Sequence, residues 1–294
     1  MTTLYETVKA LEKLYPLEYA EDWDAPGLIV GNMLAPVNRI VCVCDPTFDA
    51  VECAIKMGSD LLVTHHPLFF KAVHEVSGIG VRGEIVNRLI SNNCALWVGH
   101  TNADVAWRGV AHAAAEAFGL KNLHPLVSNG QVDDSGNSVG LGRVGVLDEP
   151  MTLRDFAHRV HNALPKTHLG VQVAGNLDSS VQTVAVLPGA GDSLFDEVRS
   201  SKADVYVTSD LRHHPATDTI EQAYYESRLQ SELNKNTSYE AKPMLINTPH
   251  SAIESLWFNY AVEDIAASVE KISGKKPEVT WLGEACDPWN YVIH

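Results

Sequence analysis

Histidine and carboxylate side chains follow three of the apolar segments of this chain. The three pairs are His65 with His66, His100 with Asp104, and His250 with Glu254. Imidazole and carboxylate groups together are ligands that proteins use for Zn²⁺, Mn²⁺, Fe²⁺, Co²⁺ or Ni²⁺. The residue types therefore predict a metal site, provided that the fold brings the three pairs together.

His65 and His66 end a predicted strand, in which neighbouring side chains point to opposite faces. Pro67 favours an extended conformation for His66. The two histidines can therefore bind two different ions, or one ion while the second ring supports the first. An ordinary pair of loop histidines is the alternative.

His250 and Glu254 are four residues apart, which places both side chains on one face of a helix. Thr248 and Pro249 are typical of a helix start, and we expect the helix to run to about Ile272. The alternative for His250 and Glu254 is a solvent-exposed pair, which has the same spacing. The alternative for Asp104 is an ordinary capping residue in a loop. The prediction therefore rests on the three pairs taken together.

This set of donors exceeds what one catalytic ion needs while it stays open to water. It suits two ions about 3.5–4 Å apart, bridged by a carboxylate and a hydroxide. Two cations lower the pKa of the bridging water, so the hydroxide can act as the nucleophile of a hydrolytic reaction. The predicted chemistry is therefore metal-dependent hydrolysis at carbon or phosphorus.

Strands and helices alternate along the chain, which predicts an α/β fold of two lobes with mostly parallel, helix-flanked sheets. In such sheets ligands bind at the carboxyl ends of the strands. We therefore expect the three pairs to meet at one edge of one sheet. Val184 and Asp204 lie 144 residues after Ile40 and Asp60, in similar apolar segments, which predicts an internal duplication.

The predicted first lobe, which carries the metal ligands, comprises residues 1–127 and 243–294, and the second lobe comprises 128–242. The segment 128–138 is polar and contains glycine, so we predict a surface loop between the lobes.

The composition, 45% apolar and 20% charged, is that of a soluble globular protein. Lys and Arg total 22 against 37 Asp and Glu, a net charge of −15, so neither nucleic acid nor an anionic membrane is an expected partner. The sequence shows no membrane-spanning segment and no signal peptide. Five cysteines without paired spacing, four of them in apolar runs, suit buried thiols, so we expect a cytoplasmic protein.

Five motifs occur in a fixed order along the chain. They are EDWDAPGLIVG at 21–31, THHPLF at 64–69, HTNAD at 100–104, YVTSD at 206–210, and His250-x-x-x-Glu254. In these motifs the chain resembles the family known as GTP cyclohydrolase 1 type 2, also called NIF-three-like, over nearly its whole length.

The resemblance implies two α/β lobes with a dinuclear metal site between them, and assembly into a toroidal homohexamer. It assigns the metal ligands to His65, His66, Asp104, His250 and Glu254, with Glu254 as the bridging carboxylate. His100 matches a histidine near the metals that the resemblance does not assign as a ligand. Pro249 stands where the family usually has glycine.

Asp210, His213 and His214 form a second polar cluster, at the matching strand end of the second lobe. They can contact a substrate or relay protons, or they can be a solvated loop or subunit contact. We assign Asp210 and His213 to substrate binding, and His100 and His214 to general acid–base catalysis. Trp23 and Asp24 can line the mouth of the cleft; the alternative, which we favour, is a turn that tucks the indole into the core.

Two main classes of function remain open from the sequence, beside a small-molecule sensor whose metals would change its assembly on ligand binding. The first is a dinuclear metal-dependent hydrolase, for which the family name implies hydrolytic opening of the purine ring of GTP. Its substrate is then a small molecule such as a nucleotide. The second is a non-enzymatic protein that regulates, delivers metal or acts as a scaffold. An open coordination position favours the enzyme, and a closed one favours storage.

Overall fold

The computed structural model describes residues 1–234, 239–283 and 287–293. The chain forms two compact units, one of Met1–Gly109 with Trp257–Cys286 and one of Val110–Leu256 with Asp287–His294. Within the described ranges, no helix is both long enough and apolar enough to cross a membrane.

The helices and strands alternate along the chain as an α/β fold. The helices are α1 (Leu4–Leu14), α2 (Phe48–Lys56), α3 (Val81–Ser91), α4 (Thr101–Val105), α5 (Val110–Ala117), α6 (Leu153–Ala163), α7 (Phe195–Ser201), α8 (His213–Leu233), α9 (His250–Ser255) and α10 (Phe258–Ser273). The strands are β1 (Gly27–Val30), β2 (Arg39–Val43), β3 (Leu61–Thr64), β4 (Ala95–Val98), β5 (Lys121–His124), β6 (Val127–Val132), β7 (Ser138–Leu141), β8 (Arg143–Thr152), β9 (Gln172–Ala174), β10 (Ser180–Ala190), β11 (Val205–Ser209), β12 (Met244–Thr248) and β13 (Glu278–Trp281).

The first unit contains a five-stranded sheet in the order β1-β4-β3-β2-β13. Four of these strands run parallel, and only β1 pairs antiparallel, with β4. Apolar side chains of β2, β3 and β4 pack against α2 and α3 in one buried cluster. A parallel sheet covered by helices explains why these strands read as continuous apolar runs.

The second unit contains a six-stranded sheet in the order β5-β8-β10-β11-β12-β9 and a separate hairpin, β6-β7. Only β10, β11 and β12 run parallel, whereas β5, β8 and β9 pair antiparallel with their neighbours. The expectation of mostly parallel sheets therefore holds for the first unit and is wrong for the second.

The strand that precedes His250 belongs to the second unit. β12 pairs with β11, so it extends the six-stranded sheet rather than the sheet of β3 and β4. The expected division placed 243–294 in the first lobe and drew the boundaries at 127 and 242. The expectation that all three pairs follow strands of one sheet is wrong, because strand pairing over long sequence distances is not written in local periodicity.

Three local predictions also need correction. The segment 128–138, expected to be a loop, forms most of the β6-β7 hairpin. The helix expected from Pro249 to Ile272 is two helices, α9 and α10, and Pro249 itself is the N-cap residue. Asp104 lies in α4 rather than in a loop. The 21-residue helix α8, in which only Thr219 and Ala223 are buried, was not predicted because it lacks an apolar stripe.

The two sheets share an equivalent strand pair. Ile40 in β2 pairs with Leu61 in β3, and Val184 in β10 pairs with Val205 in β11, at the predicted offset of 144 residues. Oδ2 of Asp60 accepts hydrogen bonds from the backbone amides of residues 38 and 39, at 2.7 and 3.0 Å. Oδ2 of Asp204 accepts from those of residues 182 and 183, both at 2.8 Å. The same offset relates every partner.

Candidate metal centre

His65 and His66 stand at the carboxyl end of β3, where the backbone is held by its neighbour β2. The amides of both histidines donate to the carbonyl oxygen of Cys44, at 3.1 and 2.9 Å. The His65 ring is buried, and its Nδ1 lies 2.9 Å from the carbonyl oxygen of Gly99. The His66 Nδ1 lies 2.7 Å from Oδ1 of Asp45. Each of the two rings is therefore held through its own Nδ1.

Asp104 reaches the same region from α4. Its Oδ1 lies 3.9 Å from Nε2 of His65, the nitrogen opposite the one that faces Gly99. The backbone amide of Asp104 donates to the carbonyl oxygen of His100, which begins this short helix. The fold thus places one carboxylate and one imidazole of the predicted ligand set next to each other.

Cys44 is a donor that the sequence analysis assigned to the core. Its Sγ lies 3.8 Å from Nδ1 of His66, and both residues belong to a candidate metal-binding cluster. Cys42 and Cys94 are buried thiols as expected; burial raises the pKa of Cys42 to about 12 and that of Cys94 to about 11. Cys53 is exposed, and Cys286 lies outside the described residues.

His100 is bound to a buried carboxylate. Its Nδ1 lies 2.9 Å from Oδ2 of Asp24, which also accepts hydrogen bonds from the amide and hydroxyl of Thr101, at 3.1 and 2.7 Å. Burial opposes ionisation of Asp24, but the hydrogen bonds from His100 and Thr101 outweigh it and lower its pKa to about 2. Asp24 is therefore charged at neutral pH and fixes the orientation of the imidazole.

Three imidazole rings cluster in the first unit. The ring centroids of His65 and His66 are 4.9 Å apart, and those of His65 and His100 are 5.4 Å apart. Trp23 and Phe70 contact the outer side of this cluster, each with its ring centroid 5.8 Å from that of His100. Trp23 is 62% exposed, so the expectation that its indole is tucked into the core is wrong.

In the second unit, His250 and Glu254 occupy one face of α9, as their spacing predicts. Nε2 of His250 lies 2.9 Å from Oε1 of Glu254. Glu254 is buried, and a carboxylate is costly to bury unless it is paired. Gly189 makes room for it, because a Cβ at that position would lie 2.9 Å from Oε1 of Glu254.

Asp210 contacts His250 from the other side. Its Oδ2 lies 2.7 Å from Nδ1 of His250, so the imidazole lies between two carboxylates. A neutral ring has one N–H and can donate to only one of them. The second contact requires either another proton or a cation held jointly by Nε2 and Oε1. Divalent metals are such cations, so these residues fit a metal ion.

His213 and His214 begin α8 and are exposed. Their rings contact each other, with centroids 5.2 Å apart. The structure therefore brings Asp210 to His250, the predicted metal ligand of this unit, whereas His213 and His214 lie on the surface of α8.

Four histidine rings share the same hydrogen-bonding pattern. In His65, His66, His100 and His250, Nδ1 faces a carbonyl or carboxylate oxygen at 2.7 to 2.9 Å. A proton on Nδ1 leaves the lone pair of the neutral ring on Nε2, the arrangement that metal-binding histidines adopt. The spacing of residues predicts the histidines but not Asp45 as a partner. The only signal was its place at the end of an apolar strand.

Comparison with known proteins gives consistent matches. The model of the Duf34/NIF3 (NGG1p interacting factor 3) family matches residues 2–280. A GTP cyclohydrolase 1 type 2 homolog from Streptomyces coelicolor is 45% identical over 218 residues, which cover 74% of this chain and 76% of that protein.

Solved structures show the same fold. A Bacillus cereus protein related to NIF3 superposes with a TM-score of 0.84 at 22% identity, covering 99% of both chains. Reduced HcgD from Methanocaldococcus jannaschii superposes with a TM-score of 0.70 at 25% identity, covering 96% of this chain and 98% of that one. With the family model matched over most of its length, the chain belongs to the Duf34/NIF3 family.

Proposed function

We propose that the protein is a dinuclear metal-dependent hydrolase. The ions are two divalent metals per chain, from the set Zn²⁺, Mn²⁺, Fe²⁺, Co²⁺ and Ni²⁺. The observation that carries the proposal is the common orientation of His65, His66 and His250, each bound through Nδ1 so that Nε2 can bind a metal. A histidine in an exposed loop, solvated by water, does not require such a hydrogen bond at Nδ1.

The proposed ligands are His65, His66, Asp104, His250 and Glu254, and Glu254 would be the bridging carboxylate. Asp45 and Asp210 hold the rings of His66 and His250. Asp210, expected from the sequence to bind substrate, therefore has a better supported role as the partner of a metal ligand. Cys44 is a further donor beside His66.

The reaction needs a water nucleophile and a group that moves protons. When bound, a pair of divalent ions supplies Lewis acidity and an activated water. His100 is the proposed general acid or base, because Asp24 fixes its tautomer and imidazole titrates near neutral pH. His214 as an acid–base residue and His213 as a substrate contact remain proposals without a supporting bond.

The names of the relatives point to GTP as a substrate, and we propose hydrolytic opening of its purine ring as the first reaction to test. The purified protein is loaded with Mn²⁺, Zn²⁺ or Fe²⁺ and assayed for formate release from GTP, with simple phosphoesters beside it. Turnover that follows metal content supports the hydrolase. If the fully loaded protein turns over neither substrate class, the protein is a metal-binding regulator, carrier or scaffold instead.

Assembly and location complete the proposal. We propose a toroidal homohexamer in the cytoplasm, with a small molecule rather than nucleic acid or a membrane as the partner. The molar mass in solution, measured by light scattering, tests the assembly. A mass close to six times 32.1 kDa supports it, and a stable monomer contradicts it.

A further inference from the structure

We propose that the first unit binds a flat heteroaromatic ring against Trp23 and Phe70, beside the Asp24–His100 pair. The inference rests on the proposed function for the fate of that ring, and it names the side chains that select the substrate. Neither aromatic residue belongs to the proposed metal ligands.

The two aromatic rings are arranged alike around one imidazole. The planes of Trp23 and Phe70 make angles of 80° and 84° with that of His100, and both centroids lie 5.8 Å from its centroid. Trp23 is 62% exposed and Phe70 is 53% exposed. A single exposed aromatic side chain is ordinary, but two of them on one buried histidine form a specific apolar surface.

The backbone presents both rings from anchored segments. The amide of Glu21 donates to the hydroxyl of Thr101 at 3.0 Å, and Asp24 accepts from the same residue, so the turn is held on both sides of Trp23. Phe70 follows Leu68, whose buried side chain joins the core of the first unit. The backbone that carries both rings is therefore anchored before a ligand arrives, which lowers the entropy cost of binding.

The chemistry of the surface selects a flat ring. Aromatic faces stack on the face of any heterocycle, whereas a phosphate has no flat face to stack. The polar group that both rings contact is His100, whose Nδ1 is bound to Asp24, so Nε2 is the atom that the proposal assigns to a ligand. A heterocycle offers a nitrogen or oxygen at its edge to that atom. A protein interface is less well suited, because interface centres are depleted in charged groups such as Asp24.

The test measures binding of guanosine to the full-length protein as isolated, with ribose 5-phosphate as the probe that lacks a heteroaromatic ring. We expect Trp23→Ala and Phe70→Ala each to weaken guanosine binding about 10-fold, and Trp23→Phe to retain most of it. Trp289→Ala is the matched control, because Trp289 is 61% exposed and distant in sequence. We expect less than a 2-fold change for it.

Two outcomes overturn the inference: equal guanosine affinity in wild type and Trp23→Ala, or binding of ribose 5-phosphate as tight as that of guanosine. The metal content of each variant is measured in parallel and should equal that of wild type. Guanosine binding without any turnover contradicts the hydrolase and leaves the ring site standing. Turnover of GTP with an unchanged KM in Trp23→Ala contradicts the ring site alone.

Discussion

The two units contain equivalent pairs of parallel strands, but the residues that follow these strands differ in type. At the offset of 144 residues, His66 corresponds to Asp210 and Asp45 corresponds to Gly189. In the first unit the strand ends in a histidine that is held by an aspartate of the neighbouring strand's end. In the second the strand ends in the aspartate, and it holds a histidine of α9.

The third parallel strand of each sheet continues the comparison. β4 is followed by α4, which carries Asp104, and β12 is followed by α9, which carries His250 and Glu254. Gly189 has no side chain, and Glu254 occupies the space beside it. At the equivalent position the first unit has the side chain of Asp45. The scaffold is therefore repeated, while the proposed ligands are set by single residues after its strands. The duplication itself stays a prediction.

The largest expected effect comes from Glu254→Ala, which removes the proposed bridging carboxylate. We expect metal content to fall from about two ions per chain to one or none, because one side chain should hold both. Elemental analysis of the purified protein measures this. The control is Glu232→Ala on α8, an exposed glutamate, which should keep both ions. Two ions in Glu254→Ala would contradict the bridging role.

The aspartates that hold the two histidines provide a matched pair across the units. We expect Asp45→Asn and Asp210→Asn each to weaken metal binding about 10- to 100-fold, because each removes the charge that fixes a ligand ring. Titration with Zn²⁺ against a chelator measures the affinity. If only one substitution has an effect, only one unit supplies ligands.

Gly189→Ala tests the difference between the units directly. The added Cβ would lie 2.9 Å from Oε1 of Glu254, in a backbone conformation with φ of +82°. We expect about a 10-fold loss of metal affinity, together with a loss of stability of about 1–2 kcal/mol from the backbone strain. Gly136→Ala is the control, because its φ is +83° and nothing lies within 4 Å. It should share the strain and keep the affinity.

The Asp24–His100 pair makes the stability of the first unit depend on pH. The pKa of Asp24 falls from 3.8 to about 2 on folding. Its stabilisation, on the order of 2 kcal/mol, is therefore complete above pH 4 and lost as the pH falls towards 2. Urea unfolding should show Asp24→Asn to be less stable than wild type at pH 5, with the gap closing at pH 2. A constant gap would show that titration of Asp24 contributes nothing.

The smallest expected effect is the difference in stability between Asp60→Ala and Asp204→Ala. Each leaves two backbone amides without their acceptor, at a cost of about 1–3 kcal/mol. Asp204 also contacts Nζ of Lys242 at 2.7 Å, a partly exposed pair that adds at most about 1 kcal/mol. Equal losses within that margin, measured by chemical unfolding, are expected. A much larger difference would show that the two strand pairs are not equivalent.

Features of the fold and of the site that depend only on residues close together in the sequence could be predicted. The apolar runs of β2 and β3 and the shared helix face of His250 and Glu254 follow from spacing alone. The partners Asp45 and Asp210 did not, because a bond between two strand ends depends on which strands pair.

The amino-acid sequence by itself determined the alternation of strands and helices, the 144-residue offset between two strand pairs and the histidines that the motifs contain, since local periodicity and residue type encode them. Only the tertiary structure decided that β12 joins the six-stranded sheet, that Gly189 leaves space for Glu254 and that Trp23 faces solvent. These features depend on contacts between residues far apart in the chain, and their free energy comes from packing and pairing that no single segment contains.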